Sequence, residues 1–185
     1  ENINCPARLK ESLIFFASRP AMDIDGLGPA VIDQLVEKKL VEKVDDLYYL
    51  KEDDIAGLDR MGAKSAYNLI QAIADSKARP LYRLVTALGI RHIGSKTARL
   101  LTAQINNIDQ FSEVNEEQLM SIPEIGPRMA ESIVKFFREP RNQETITRLK
   151  AAGVNTVEAE SNGGLKPLAG KTFVLTGALE SLTRN

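Results

Sequence analysis

The stretch that decides the fold reads Arg91-His92-Ile93-Gly94-Ser95-Lys96, and three other stretches of the chain resemble it. The other three are Asp25–Ala30, Asp59–Lys64 and Pro123–Arg128. Aligned on their shared glycine, they place Gly28, Gly62, Gly94 and Gly126 at intervals of 34, 32 and 32 residues. A repeat of this period indicates a supersecondary unit that recurs along the chain.

Apolar residues surround each aligned glycine at helical spacing. An apolar residue comes directly before the glycine, and an apolar or small residue follows four positions after it: Leu27 and Ile32, Met61 and Ala66, Ile93 and Ala98, Ile125 and Ala130. After Gly62 and Gly126 the apolar positions follow the i, i+3, i+4, i+7 spacing of an amphipathic helix. Pro29 and Pro127 fall in the first turn, where a missing N–H costs nothing.

A short apolar helix is also predicted before each glycine, at residues 13–16, 53–58, 81–88 and 116–122. The repeated unit is therefore a helix, a tight turn and a second helix. Strand-like alternation is almost absent before residue 165, so the body of the chain is predicted to be all-α.

The start of each second helix is a predicted anion site. Its first N–H groups have no partner within the helix, and the helix dipole leaves partial positive charge there. We expect the glycine to adopt a positive φ and to let a phosphate approach the bare backbone. Two positions later comes Lys64, Lys96 or Arg128, but the first repeat has Ala30, so its contact should be weaker or absent.

Contacts of this kind read the nucleic-acid backbone and not the bases, so binding should be independent of sequence and sensitive to salt. The net charge of −1 does not favour a nucleic-acid binder. However, six basic residues and no acid lie between Lys77 and Ile108. Such a run can equally be a solvated helix face. The glycines can also be turns that only pack helix on helix, but four repeats, three of them with a basic residue two positions later, argue against this. Aromatic residues make up 5% and Trp is absent, which argues against a base-stacking platform.

Other classes of site find little support in the sequence. Gly57–Ser65 and Gly89–Thr97 resemble a nucleotide-binding P-loop, but they are one residue too long and follow helical patterns. His92 is the only histidine, and no catalytic set can be built around it. The single cysteine excludes an intramolecular disulfide, and no apolar stretch is long enough to span a membrane. We expect a cytoplasmic protein, and the absence of an initial Met suggests a fragment.

The chain changes character near its end. Glu158–Gly164 is polar and contains glycine, as a linker would. Lys171–Thr176 is rich in β-forming residues and is followed by Gly177, which predicts a buried strand. Because one strand is not stable alone, we expect the chain to stop inside a second domain.

These features together resemble bacterial NAD-dependent DNA ligase, in the part that follows its nucleotide-binding and oligonucleotide-binding-fold domains. Ser18–Gly28 resembles the stretch that leads into the family's first helix-hairpin-helix motif. The four repeats resemble its helix-hairpin-helix domain, in which two pairs of motifs curve against the minor groove. Leu168–Gly177 resembles the opening of its C-terminal BRCT domain.

The resemblance implies an all-α fold of four tandem helix-hairpin-helix motifs in two pairs, followed by a linker and a truncated α/β start. The implied domains are a zinc-finger remnant with a lead-in helix (1–20), the helix-hairpin-helix domain (21–157), a linker (158–167) and the BRCT start (168–185). Cys5 matches the last of four zinc-binding cysteines, and the other three are absent. We therefore expect an incomplete zinc site and no order from Glu1 to Leu9.

The resemblance also implies a function. Full-length relatives use NAD, contain zinc and seal nicks during DNA replication and repair. This fragment lacks the adenylated lysine, so it should bind no cofactor and be inactive alone. It should grip double-stranded DNA, preferably nicked, beside the other domains of the same ligase, in the bacterial cytoplasm at the nucleoid. The candidate DNA-binding residues are Gly28, Gly62, Lys64, Arg91, His92, Gly94, Ser95, Lys96, Thr97, Gly126 and Arg128.

Two alternatives remain open from the sequence. One is a tandem helix-hairpin-helix module of a repair nuclease or junction-binding protein. The lead-in around Asp23 and the strand after Lys171 argue against it, because such a module needs neither. The other is a helical scaffold whose hairpins pack only on protein, which the basic residues in register argue against.

Overall fold

The computed structural model describes residues 6–158, and this part of the chain is helical throughout. Its α-helices are α1 (Pro6–Ala17), α2 (Pro29–Glu37), α3 (Glu52–Ala56), α4 (Ala63–Ser76), α5 (Leu81–Ala87), α6 (Ser95–Gln104), α7 (Glu116–Met120), α8 (Pro127–Arg138) and α9 (Pro140–Ala151). Two 3-10 helices lie at Val44–Tyr49 and Ile108–Ser112. Among these residues the β-structure is one isolated antiparallel bridge between Asn107 and Val157. The predicted all-α class is confirmed for this part.

The four predicted helix–turn–helix units are present. Helices α1 and α2 form hairpin 1, α3 and α4 hairpin 2, α5 and α6 hairpin 3, and α7 and α8 hairpin 4. In each hairpin the aligned glycine directly precedes the second helix. The residue before the glycine is buried or half-buried, and the residue four positions after it is buried in every hairpin. These apolar side chains hold each turn against the core, which fixes where the second helix begins.

Helix α9 and the two 3-10 helices were not predicted from the sequence. Helix α9 begins with Pro140 and buries Ile146 and Leu149. It is followed by Gly153 at φ 85°, a glycine in the left-handed conformation that commonly ends a helix. The proline at its start and the glycine after its end were signals available in the sequence.

One hydrophobic core joins the hairpins, and its buried residues run from Leu13 on α1 to Val154 after α9. In this core the ring of Phe111, from the second 3-10 helix, stacks on the ring of Phe137, from α8, with their centroids 4.8 Å apart. Helix α9 returns across the first 3-10 helix, where the Tyr49 hydroxyl donates to the Arg148 carbonyl at 2.9 Å. Hairpins from both halves of the chain therefore rest on a shared body.

An ionic cluster lies at the contact between α9 and the first 3-10 helix. The Arg148 Nε atom lies 2.9 Å from Asp45 Oδ2, and Nη2 lies 2.8 Å from Asp46 Oδ1. Asp45 is fully buried, and neither of its carboxylate oxygens accepts a well-aligned hydrogen bond from residues 6–158. Burial raises the pKa of the Asp45 carboxyl, although the charge of Arg148 acts in the opposite direction. The cluster ties α9 to the first half of the chain, but it keeps a poorly solvated carboxyl in the core.

The expectation that Glu1–Leu9 lacks order is wrong from Pro6 onward, where α1 begins. Leu9 packs against the core, which gives the start of this helix an apolar anchor. Cys5, the strand expected at 171–176 and the BRCT start at 168–185 lie outside the described residues. The domain boundaries therefore stay predictions.

Candidate nucleic-acid interface

The four turns share one backbone geometry. In each turn the N–H of the residue before the aligned glycine donates to the carbonyl three residues earlier. These bonds run from Leu27 to Ile24 (3.4 Å), Met61 to Leu58 (3.2 Å), Ile93 to Ile90 (3.0 Å) and Ile125 to Ile122 (3.1 Å). The third turn residue has a positive φ each time: Gly26 at 80°, Arg60 at 62°, His92 at 69° and Glu124 at 70°. This combination is the pattern of a type II turn.

The prediction that the aligned glycines adopt a positive φ is wrong. Their φ values are −83° at Gly28, −83° at Gly62, −100° at Gly94 and −94° at Gly126, all with extended backbone. The chain reverses two residues earlier, so the glycine only leads into the helix. A Cβ atom built on any of the four would have no heavy atom within 4 Å, beyond the two chain neighbours. Neither the backbone conformation nor the packing inside this part of the molecule requires glycine at these positions.

The helices that follow the glycines have open starts. No side chain caps α2, α4, α6 or α8. Gly28, Gly62 and Gly94 are exposed and Gly126 is half-buried. The first N–H groups of these helices therefore face outward without a side-chain acceptor, beside the positive end of the helix dipole. The geometry offers an anion an open helix start four times, although Pro29 and Pro127 leave α2 and α8 without an N–H at their first residue.

The predicted basic residues lie at the second position of three of these helices. Lys64 on α4, Lys96 on α6 and Arg128 on α8 are all exposed, and α2 has Ala30 at the same position. In hairpin 3, Arg91 and His92 are exposed in the turn, while Ser95 and Thr97 are half-buried at the start of α6. The structure thus brings all the predicted residues to the turn ends of the hairpins.

Side-chain contacts join hairpin 1 to hairpin 2 and hairpin 3 to hairpin 4. In the first pair, the Gln34 side chain on α2 accepts from the Asp59 N–H at 2.7 Å and donates to the Asp59 carbonyl at 3.3 Å. In the second pair, Lys96 Nζ of hairpin 3 lies 2.6 Å from Glu124 Oε2 of hairpin 4. Each contact joins the second helix of one hairpin to the turn of the next.

The basic run from Lys77 to Ile108 is not one continuous anion surface. Arg79 Nη2 lies 2.9 Å from Asp23 Oδ2. Arg83 Nη1 donates to the carbonyls of Arg19 at 2.7 Å and Ala21 at 2.9 Å, so both arginines hold the lead-in segment, which lies between α1 and the turn of hairpin 1. The Arg99 guanidinium, in contrast, lies 3.7 Å from the centroid of the Tyr82 ring on α5. The sequence showed the charges but not these partners, because they depend on the tertiary fold.

Residues 6–158 contain no group of three or more His, Cys, Asp and Glu side chains arranged to hold a metal ion. His92, the one histidine, is an exposed turn residue, as expected. The zinc site implied for Cys5 falls outside the described residues and is not tested by them. No helix in the described part is long and apolar enough to cross a membrane.

Two protein-family models match the chain. One is described as a SAM-like helix-hairpin-helix tandem and covers residues 18–75, and the other is described as a helix-hairpin-helix motif and covers residues 83–146. Together they include all four hairpin turns.

The curated proteins most similar to the chain include three named DNA ligase. The protein from Syntrophomonas wolfei is 66% identical over 184 residues, which is 100% of this chain and 28% of that protein. Those from Halothermothrix orenii and Thermoanaerobacter sp. are 52% and 50% identical, each over 98% of this chain and 27% and 28% of the relative. The chain thus spans less than a third of the length of the relatives it matches.

Proposed function

Because the chain belongs to the DNA ligases as a helix-hairpin-helix segment of them, we propose that it grips the phosphate backbone of duplex DNA through the turn ends of its hairpins. The uncapped N–H groups at the starts of α4, α6 and α8 donate to phosphate oxygens, and Lys64, Lys96 and Arg128 add positive charge beside them. The array holds the duplex while other parts of a full-length ligase act on the nick.

The observation that carries this proposal is the set of four extended glycines. A glycine is expected where the backbone needs a positive φ or where a side chain would clash. Gly28, Gly62, Gly94 and Gly126 meet neither condition within the described structure. All four glycines are helix N-caps, but Ser, Asp and Asn serve that position as well or better. The close approach of a group from outside the chain accounts for glycine in all four hairpins, and the exposed helix start beside it favours an anion.

The hairpins should not contribute equally. Hairpins 2, 3 and 4 each combine an open helix start with a cation, while hairpin 1 has Ala30 at that position. Hairpin 1 also contacts hairpin 2 through Gln34, which gives it a role in holding the array together. We expect hairpin 1 to contribute least to affinity and hairpins 2 to 4 to carry the salt dependence.

The finer parts of the function also belong to the proposal. In a whole ligase this segment would favour nicked duplex, because hairpins in two pairs could contact the backbone on both sides of the break. We assign the NAD-dependent chemistry and any zinc site to the complete protein, with Cys5 as one ligand. The described residues offer no group to which we can assign the sealing step, so we propose that this fragment is inactive alone. We place its function in the cytoplasm, at the nucleoid.

The experiment that tests the proposal is fluorescence anisotropy with labelled nicked duplexes of two unrelated sequences over a series of salt concentrations. The wild-type chain should bind both duplexes equally, and affinity should fall steeply with salt. A variant with Lys64→Ala, Lys96→Ala and Arg128→Ala should lose binding while keeping its helical circular dichroism. If the wild type does not bind at low salt, the array is a protein scaffold and the proposal is wrong.

A further inference from the structure

We propose that Glu124 competes with DNA for Lys96, occupying the lysine ammonium in the free protein until a phosphate displaces it. This inference rests on the proposed function, since it concerns the same cation. It makes Glu124 a residue that limits the strength of the grip and favours release.

The contact joins two hairpins at their exposed ends. Lys96 is the second residue of α6 in hairpin 3, and Glu124 is the third residue of the turn in hairpin 4. Their charged atoms lie 2.6 Å apart, with 78% of the Lys96 side chain and 58% of the Glu124 side chain exposed. An ion pair this open is weak and can exchange partners, so it can be replaced by a phosphate.

The turn itself does not call for a carboxylate at this position. The third residue of a type II turn favours glycine because its φ is positive, and hairpin 1 has Gly26 there. Hairpins 2 and 3 have Arg60 and His92, so hairpin 4 differs from the other three in placing an acid at the same backbone position. Glu124 at φ 70° therefore accepts an unfavourable conformation and brings a negative charge to a surface that we assign to phosphate.

Among the described residues, the contacts of the Glu124 carboxylate go to the Lys96 ammonium. The carboxylate thus takes the place that a phosphate oxygen would take beside that cation. When DNA binds, the Lys96 ammonium must contact the phosphate as well as, or instead of, the Glu124 carboxylate. The carboxylate is then close to a second anion, the phosphate. Both effects weaken binding at hairpins 3 and 4 without removing any contact to DNA.

The test is the affinity of Glu124→Gln for a nicked duplex, measured by anisotropy over a salt series. The substitution keeps the size and hydrogen-bonding capacity of the side chain and removes its charge. We expect it to bind DNA about three- to tenfold more tightly, because an exposed ion pair and a nearby like charge each have an effect of this order. The slope of log affinity against log salt should stay close to that of the wild type, because Lys96 contacts phosphate in both proteins and only the competing carboxylate is lost.

The matched control is Glu131→Gln, an exposed acid on α8 that changes the net charge equally. It should change affinity by less than about twofold, because it is not paired with Lys96. In the Lys96→Ala background, Glu124→Gln should gain clearly less than it does in the wild type, because only the repulsion between the carboxylate and the phosphate is left to remove. Glu124→Gly, which also suits the positive φ, should repeat the tighter binding and guards against a fold effect of the glutamine.

The outcomes separate the two proposals. If the wild type binds and Lys96→Ala weakens binding, but Glu124→Gln matches Glu131→Gln, the competitor role is wrong and the phosphate grip stands. A gain of the same size in the Lys96→Ala background also overturns the competitor role, because the substitution would then act through charge repulsion alone. If the wild type does not bind any duplex, the proposed function itself fails.

Discussion

Replacing Gly94 with alanine tests whether this glycine is needed for folding or for binding DNA. The residue has φ −100° and ψ −179°, a conformation open to any L-residue. A Cβ atom there would have no heavy atom of another part of the molecule within 4 Å. The fold therefore offers no steric reason against alanine at this position.

The expected change in stability is small because two effects oppose each other. Alanine is a poorer N-cap than glycine, at a cost of about 0.5–1 kcal/mol. The unfolded chain loses conformational freedom when glycine becomes alanine, which stabilises the folded state by about 0.4–1 kcal/mol. The free energy of unfolding of Gly94→Ala, measured by denaturant titration, should thus differ from the wild type by no more than about 0.6 kcal/mol.

The expected change in DNA affinity is much larger. A methyl group on the helix start would keep a phosphate from the N–H groups of α6, and hydrogen bonds to charged groups contribute about 1.5–3 kcal/mol. Binding measured by anisotropy at fixed salt should weaken by about 10- to 150-fold, which is the same energy expressed as a ratio.

The control for this prediction is Gly26→Ala, in which the glycine does have a positive φ of 80°. Its Cβ would lie 3.7 Å from Leu69 Cδ1, an ordinary contact, so the cost is the left-handed backbone alone. We expect it to lower the free energy of unfolding by about 1–2 kcal/mol and to leave DNA affinity nearly unchanged. The reasoning is refuted if Gly94→Ala unfolds the protein, or if it folds normally and binds DNA as tightly as the wild type.

Three further predictions concern charge and packing. Lys96→Ala and Arg128→Ala should each reduce the salt slope of DNA binding by about one unit, equally for different sequences, and an unchanged slope in both would contradict the phosphate assignment. Because burial raises the Asp45 pKa above 3.8 in the folded protein, the folded state holds that proton more tightly than the unfolded chain. The contribution of Asp45 to the free energy of unfolding therefore falls as pH rises from 3.8 through the folded-state pKa. In Asp45→Asn, the free energy of unfolding measured between acid and neutral pH should lack this fall. A pH profile equal to that of the wild type would exclude Asp45 as the cause of the fall. Phe137→Ala removes the ring stacked on Phe111 and should lower the free energy of unfolding by about 3–5 kcal/mol, and a loss below 1 kcal/mol would mean that this core repacks.

The sequence predicted the repeat, because helix packing requires an apolar residue before each glycine and an apolar or small residue four positions after it. It did not predict where the turn reverses. Arg60 and Glu124 have no intrinsic preference for a positive φ, and the hydrogen-bonded turn imposes it on them.

The sequence likewise did not predict which groups the charged residues contact. The basic run gave no means of telling Arg79 and Arg83, which hold the lead-in segment, from Lys96, which lies at a hairpin end. These roles depend on contacts between residues up to 64 positions apart in the chain. Helix α9 was predictable in principle from Pro140 and Gly153, but it has no counterpart in the four aligned repeats.

The most direct test of the central claim is the amide spectrum of the 15N-labelled chain, recorded by NMR while a nicked duplex is added. If the hairpin helix starts hold phosphates, the largest shifts should fall on the amides of Gly62, Lys64, Gly94, Lys96, Gly126 and Arg128. The amide of Ala30 in hairpin 1 should shift less. Shifts that spare these amides and gather elsewhere, for example on α9, would contradict a grip through the hairpin turns.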